Sequence, residues 1–339
     1  MRKKINSLSR LGKTCLGALA IMYGLAIFAD FISPYSFKDE DRDLSYCPPT
    51  AVEFMDHGRW AHPFVYGRAL TYDAVHRRVY VIDHDQKYPL HFLKGGRLLT
   101  VDAPGRFYPW GADARGRDLF SRIWYGARIS LSIGLMGVAI SFVLGLLIGG
   151  IAGYYGGWVD SSLMWVCEMF MMVPGFYLML ALRAAVPENF NSVQVYVSVV
   201  VILALIGWAS LARIIRGMAL SLRERDYVLV AKTLGVPDIA IIFKHILPQT
   251  ISYSMAALML TVSSYILAEA GLSVVGLGIQ DPIPSWGNLL SDAMGIVPVI
   301  FAPWILLPGL FIFIAVMCFN VVGDSLRDVF DPMFNENRT

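Results

Sequence analysis

The sequence predicts an all-α polytopic membrane protein: six transmembrane helices, with a small β-containing extracytoplasmic insert between the first and second. Of its 339 residues, 56% are hydrophobic and 16% charged, whereas soluble domains carry about 25% charged residues. The apolar residues are grouped into six runs of about 20 residues, the length that crosses a bilayer. A net charge of +2 without a Lys/Arg block excludes a strongly basic nucleic-acid-binding protein.

The first apolar run covers residues 14–33 and follows a basic tail, residues 1–13. It is longer than the apolar core of a signal peptide, and no small-residue cleavage site follows it. We therefore expect this run to be retained as transmembrane helix 1.

Residues 34–128 form the long polar insert. Two short strands, 78–83 and 88–93, are predicted from their alternating apolar residues, with a turn at 94–97 before residues 98–101. Neither the histidines nor the four cysteines follow the ligand spacing of a structural metal site, so surface histidines and unpaired thiols are expected. The histidines in question are His57, His62, His76, His84 and His91.

Five further runs make a membrane core, residues 129–322, before a tail at 323–339. The predicted helices are 129–153, 161–182, 193–215, 250–272 and 301–322. Gly145, Gly149 and Gly153 recur every fourth residue, which lets a neighbouring helix approach closely. Pro174 is expected to kink the third helix because proline removes a backbone donor.

Orientation follows from the basic residues near the membrane. Thirteen Lys and Arg residues lie in the N-terminal tail, the loop between helices four and five and the C-terminal tail, against seven that lie close to the membrane on the other side. Cytoplasmic loops carry the excess of positive charge, so both termini are predicted to be cytoplasmic.

Among the five helices predicted in the membrane core, two carboxylates, Glu168 and Glu269, fall within a helix, where a charge costs about 2.5–3.5 kcal/mol on insertion scales. Each could be an ion site or line a pathway, but a role in helix packing is favoured. The sequence contains no P-loop, no Gly-x-Ser-x-Gly and no His-Glu-x-x-His motif. An enzyme is therefore not expected.

The loop at residues 213–248 is rich in helix formers and is broken at Gly235. This composition, with the break at Gly235, predicts a helix, a turn and then a short helix. Val228, Ala231 and Leu234 are spaced to share one face, which we interpret as an exposed surface able to dock on a partner.

At these residues the chain resembles the EAA loop of ATP-binding-cassette importer permeases. Ala231, Gly235, Leu247 and Pro248 fit that pattern, whereas Leu229 and Val230 stand where the family often has Glu and Ala. The segments 111–131 and 270–293 narrow the resemblance to the C-type subunit of oligopeptide, dipeptide and nickel permeases. The resemblance covers about residues 110–332, with departures at Ala112, Trp165, Glu168 and Asp281, where Thr, Arg, Asp and Pro are common.

The resemblance implies a type I importer permease fold in the bacterial inner membrane. Expected partners are a homologous second permease, two ATPase subunits that bind ATP and Mg, and an extracytoplasmic binding protein; this chain itself would hold no cofactor. Short peptides are the expected substrate, with nickel complexes left open. The ATPase-coupling loop is assigned to Tyr227, Ala231, Gly235, Val236, Asp238, Ile241, Phe243, Leu247 and Pro248.

Other interpretations stay open. A stand-alone channel or secondary transporter would need paired intramembrane charges or internal repeats. A third possibility is a membrane scaffold whose working domain is the insert. Within the importer hypothesis, the insert is either a docking surface for the binding protein or a structural cap.

Overall fold

The protein is mainly helical, with one small sheet. The computed structural model describes residues 9–56, 59–72, 78–187 and 189–330. His57 and His76, which are expected to be surface histidines, lie outside these ranges. Within them, five helices are long and apolar enough to cross a membrane. These are α1 (Arg10–Ile27), α3 (Leu119–Tyr155), α6 (Ser192–Arg223), α9 (Leu247–Val274) and α12 (Leu307–Phe330).

The third predicted helix is divided in two. The helices α4 (Gly157–Met172) and α5 (Gly175–Ala184) meet at 84°, and together they are long and apolar enough for a broken span or a re-entrant loop. Pro174 lies at the break and caps α5. The kink predicted at Pro174 is therefore confirmed, and it turns the chain by nearly a right angle.

Shorter helices connect the long ones. They are α2 (Ala29–Ile32), α7 (Asp226–Thr233), α8 (Asp238–Ile241), α10 (Trp286–Ser291) and α11 (Ile296–Phe301). Residues 242–246 form a wider π-helical turn between α8 and α9. The chain divides into two units: a span unit of residues 1–20, 132–269 and 313–339, and an insert unit of residues 21–131 and 270–312.

In the span unit, α3 packs closely on α6 through the glycines spaced every fourth residue. A Cβ placed on Gly145 would lie 2.9 Å from Leu211 Cβ, and one on Gly153 would lie 2.6 Å from the Ala219 Cβ. A Cβ on Gly149 would overlap the carbonyl oxygen of Ala212. The close approach predicted from the glycine spacing is confirmed, because only hydrogen fits at these positions.

The insert unit contains an antiparallel sheet in the order β1-β2-β3-β4. Its strands are β1 (Glu53–Asp56), β2 (Arg59–Tyr72), β3 (Arg78–Phe92) and β4 (Leu99–Val101). The prediction of two separate strands at 78–83 and 88–93 is wrong, since β3 runs through both. The polar residues between them, which suggested a break, are accommodated as a bulge: the partner of β2 jumps from Lys87 to Asp83 between Tyr66 and Gly67.

Below the sheet, the insert has its own apolar core. Val65, Leu90 and Phe107 pack together, and a second group contains Tyr35, Cys47 and Tyr108. All four cysteines are buried free thiols, including Cys47 of the insert. His62 and His84 are exposed.

Candidate functional site

The predicted partner-binding loop forms a helical tip, residues 224–248, at the end of α6. Helix α7 ends at Thr233, with Leu234 as its C-cap, and Gly235 follows with φ +76°, the left-handed conformation that glycine adopts without a steric penalty. The Gly235 amide donates to Lys232 O and the Val236 amide to Ala231 O, each at 3.1 Å. These two bonds form a Schellman motif, which ends α7 and turns the chain into α8.

One face of the tip is buried against its own chain. The core contains Val228 and Ala231 of α7, Ile241, Ile242, Ile246 and Leu247 of the following segment, and Tyr154 and Ala219 of the long helices. The predicted docking face of Val228, Ala231 and Leu234 is therefore wrong. Val228 and Ala231 are buried, whereas Leu234 lies after the last helical turn and is 77% exposed. The face of α7 that the spacing suggested for docking instead packs against the protein's own core and anchors the tip to it.

A different apolar surface faces away from this core. Ile239 is 67% exposed and Phe243 54% exposed, and Tyr227 is also exposed. We call Tyr227, Leu229, Val230, Leu234, Ile239 and Phe243 the tip surface. Several large apolar side chains exposed within one short segment are typical of a site of protein contact.

The remaining predicted loop residues support this surface. Val236 is half-buried against the anchoring core, and Pro248 is exposed in the first turn of α9. Asp238, in the first turn of α8, accepts a hydrogen bond from the hydroxyl of Tyr154 at the end of α3. The tip is thus joined to a long helix by a polar contact as well as by packing.

A second polar contact holds α4 on α6. The guanidinium of Arg216 donates to both carboxylate oxygens of Asp160, with Nε to Oδ1 at 2.6 Å. The fork geometry of arginine suits a carboxylate bound through two oxygens. Arg216 also lies beside Gly149, so the ion pair and the glycine contact fix the same stretch of α6.

The three possible packing or pathway residues do not come together as one described site. Glu168 is exposed on α4, Pro174 lies at the break between α4 and α5, and Glu269 is fully buried in α9. In the described ranges, no group of three or more His, Cys, Asp or Glu residues could hold a metal ion.

The insert unit contains a buried charge cluster that sequence reasoning did not assign. Asp113 accepts hydrogen bonds from Arg117 Nε at 2.7 Å and from Arg122 Nη1 at 3.0 Å. Asp281 accepts from Arg117 Nη1 at 3.0 Å and from Arg122 Nη2 at 2.8 Å. The two guanidiniums are therefore held between two carboxylates, one from each of two distant segments.

Local structure positions both carboxylates. Ser285 and Asn288 form a capping box at the start of α10, and Asn288 Nδ2 also donates to Ile283 O at 2.8 Å, which fixes the loop carrying Asp281. Trp286 Nε1 donates to Ile123 O at 3.1 Å and holds α10 against the start of α3. The only sequence signal was the departure at Asp281, where the resembled family commonly has Pro.

Burial shifts the pKa of two nearby acids upward. Desolvation raises the pKa of Asp118 to about 7, although Ser121 donates to its carboxylate and opposes the shift. Desolvation, reinforced by the charge of Asp113, raises the pKa of Asp292 to about 6. For Arg117, burial alone would lower the pKa, but Asp113 and Asp281 outweigh it and raise the pKa.

Comparison with known proteins places the chain among transport proteins. A family model described as "Binding-protein-dependent transport system inner membrane component" matches residues 145–336. The chain is 37% identical over 237 residues to the oligopeptide transport system permease protein OppC of Bacillus subtilis (strain 168), covering 69% of this chain and 75% of that protein. It is 38% identical over 231 residues to the dipeptide transport system permease protein DppC of the same strain, covering 68% and 70%.

A third relative is the glutathione transport system permease protein GsiD of Pectobacterium atrosepticum, 36% identical over 232 residues, with 68% of this chain and 74% of that protein covered. Among solved structures, an inward-facing form of the MetNI methionine ABC transporter aligns with a TM-score of 0.45 and 19% identity. That alignment covers 63% of this chain and 96% of the other.

Proposed function

Since this chain belongs to the family of binding-protein-dependent transport system inner membrane components, we propose that it is a permease subunit of an ATP-driven peptide importer. Its substrate class is short peptides, because the named relatives transport oligopeptides, dipeptides and glutathione. The chain would form part of the translocation path beside a second permease. A binding protein would deliver the peptide on the side of the insert.

The observation that carries this proposal is the tip surface. A soluble loop gains nothing by exposing six large apolar residues, whereas a groove on an ATPase subunit would remove them from water. The excess of basic residues near both termini and the tip supports a cytoplasmic location for all three, on the side where ATP is available. ATP and Mg would be bound by that partner and not by this chain.

The structure also suggests how a movement of the ATPase reaches the membrane. Two contacts hold the tip on the long helices. One is the apolar packing of Ile241 and its neighbours, and the other is the hydrogen bond from Tyr154 to Asp238. A displacement of the tip therefore moves the ends of α3 and α6, which are closely packed at Gly149 and Gly153. Closely packed helices move as one body because their contacts cannot deform continuously.

The test is purification of the tagged chain from its host. We expect an ATPase and a second permease to co-purify, and we expect reconstituted vesicles to import peptide only with ATP and the binding protein. Leu234→Asp should lose the ATPase subunits, because it places a charge in the apolar contact. The control is Leu93→Asp, at an exposed leucine of the insert (68% exposed, against 77% for Leu234), which should retain them.

A lone chain that transports solute without ATP would overturn the proposal in favour of a channel or secondary transporter. Retention of the ATPase by Leu234→Asp at the level of the Leu93→Asp control would remove the tip surface from the interface, whatever the substrate is.

A further inference from the structure

The charge cluster of the insert unit borders a cavity of about 250 Å³. Its walls include the side chains of Arg117, Arg122, Gln280, Asp281, Asn288 and Asp292. The arginines are the buried part of the wall, since Arg117 and Arg122 are 5% and 2% exposed, whereas the carboxylate of Asp281 is 34% exposed. The cavity is therefore lined by two buried guanidiniums, by the accessible carboxylate of Asp281 and by the carboxyl group of Asp292.

The two carboxylates that bind these arginines are not equivalent. Asp113 is buried, and its other oxygen accepts the backbone amides of Arg115 and Arg117 at 2.8 and 3.0 Å. It is a fixed part of the fold. Asp281 binds the arginines through one oxygen, and its other oxygen lies 3.5 Å from the exposed Arg115.

We propose that this pocket binds the terminal α-carboxylate of a peptide substrate, and that Asp281 occupies the carboxylate position when no peptide is bound. The proposal rests on the proposed function and names the substrate group that this chain recognises. Arg117 Nη1 and Arg122 Nη2 point at one acceptor position, now filled by a single Asp281 oxygen at 3.0 and 2.8 Å. An incoming carboxylate can take both donors, as arginine recognition of carboxylates commonly does.

The exchange leaves no charge without a partner. Asp281 can turn towards Arg115, which already lies within 3.5 Å and is half exposed to water. The three guanidiniums of Arg115, Arg117 and Arg122 then face three carboxylates: Asp113, Asp281 and that of the peptide. Asp292 also lines the pocket, and burial raises its pKa to about 6, so proton uptake there offsets the added negative charge at mildly acidic pH.

The test measures binding to the purified permease assembly in nanodiscs without the binding protein, so that selection by the binding protein is absent. The probes are trialanine and its C-terminal amide, and the readout is saturation-transfer NMR titration. Suppose that the Asp281 carboxylate occupies the acceptor position between Arg117 and Arg122 at least nine-tenths of the time. Asp281→Asn should then lower the Kd for trialanine about tenfold or more. The amide should bind no more tightly than to the unmodified protein.

Asp281→Ala is the second variant, because an Asn carbonyl can still accept one arginine bond. Asp102→Asn is the matched control: Asp102 is an exposed insert carboxylate paired with Lys94, outside the pocket, and its change should leave both affinities as they were. Monodispersity and retained ATPase subunits show that each variant folds.

The proposal is overturned if trialanine and its amide bind equally in every variant, if neither binds, or if both Asp281 variants bind trialanine no more tightly than the Asp102→Asn control. Uptake by the complete system separates this failure from that of the proposed function. Import of peptide acid and amide at equal rates removes only the carboxylate site, whereas failure to import any peptide removes the importer itself.

Discussion

Gly235 offers a graded test of how the tip works. Its φ is +76°, and a Cβ built there would meet nothing within 4 Å. A substitution therefore costs only backbone conformational energy, with no clash to add. For Gly235→Ala the left-handed conformation costs about 1–2 kcal/mol, which lowers the ratio of formed to opened turn by a factor of about 5–30.

Other side chains should follow the same physics. Gly235→Asn should cost less than Gly235→Ala, since Asn tolerates the left-handed region, and Gly235→Val should cost more because its β-branch restricts the backbone. The control is Gly217→Ala in α6, a helical glycine that also has open space around it. That change should stabilise the helix by about 0.5–1 kcal/mol.

Two measurements report the effect. Hydrogen exchange of the Gly235 and Val236 amides follows the two bonds that close the turn. The number of ATP molecules hydrolysed per peptide imported, in vesicles containing the whole assembly, follows coupling. We expect faster exchange and more ATP per peptide in the order Asn, Ala, Val. The reasoning fails if exchange rises in this order while coupling stays constant, or if Asn is as damaging as Val.

Three further predictions concern the long helices and the insert. Gly149→Ala should destabilise the protein by about 1–3 kcal/mol through overlap with α6, seen as a lower midpoint of thermal unfolding, while Gly24→Ala, with open space, should not. Tyr154→Phe keeps the aromatic ring but removes one hydrogen bond to Asp238, worth about 1 kcal/mol. It should raise the number of ATP molecules used per peptide imported. Unchanged coupling would show that this hydroxyl does not help to connect the tip to α3. Asp118 has its pKa raised to about 7, so the folded state holds a proton that the unfolded state releases from about pH 4. The contribution of Asp118 to stability should therefore fall by up to about 4 kcal/mol as pH rises from 4 to 7, and Asp118→Asn should remove that share of the pH dependence in unfolding measurements at pH 5 and 8, leaving the share of Asp292.

Much of the architecture follows from local sequence. Apolar runs of membrane length identify the spans, because any such run gains free energy by leaving water, wherever it lies in the fold. Glycines every fourth residue predict the close contact of α3 with α6, since a missing side chain is a local property of one helix face. The break at Pro174 follows from the missing backbone donor, although the 84° angle does not.

The candidate sites were less predictable. Spacing put Val228, Ala231 and Leu234 on one face, and it could not say whether that face meets the chain itself or a partner. The answer depends on packing against Ala219 of the preceding helix α6 and against Tyr154 of α3, which is far away in the sequence. Likewise, β3 continues through its polar middle because its pairing with β2 accommodates a bulge there. The sequence of β3 alone does not reveal this bulge.

The sequence by itself determined that this chain lies in a membrane, that its glycines permit close helix contact and that a glycine turn interrupts its basic loop. Each of these depends on residues near one another in the chain. Only the tertiary structure decided which face of the tip is exposed and that Asp281 meets Arg117 and Arg122. The arginines and that carboxylate are separated by about 160 residues, and their shared oxygen position exists only once the start of α3 and the loop before α10 have been packed together.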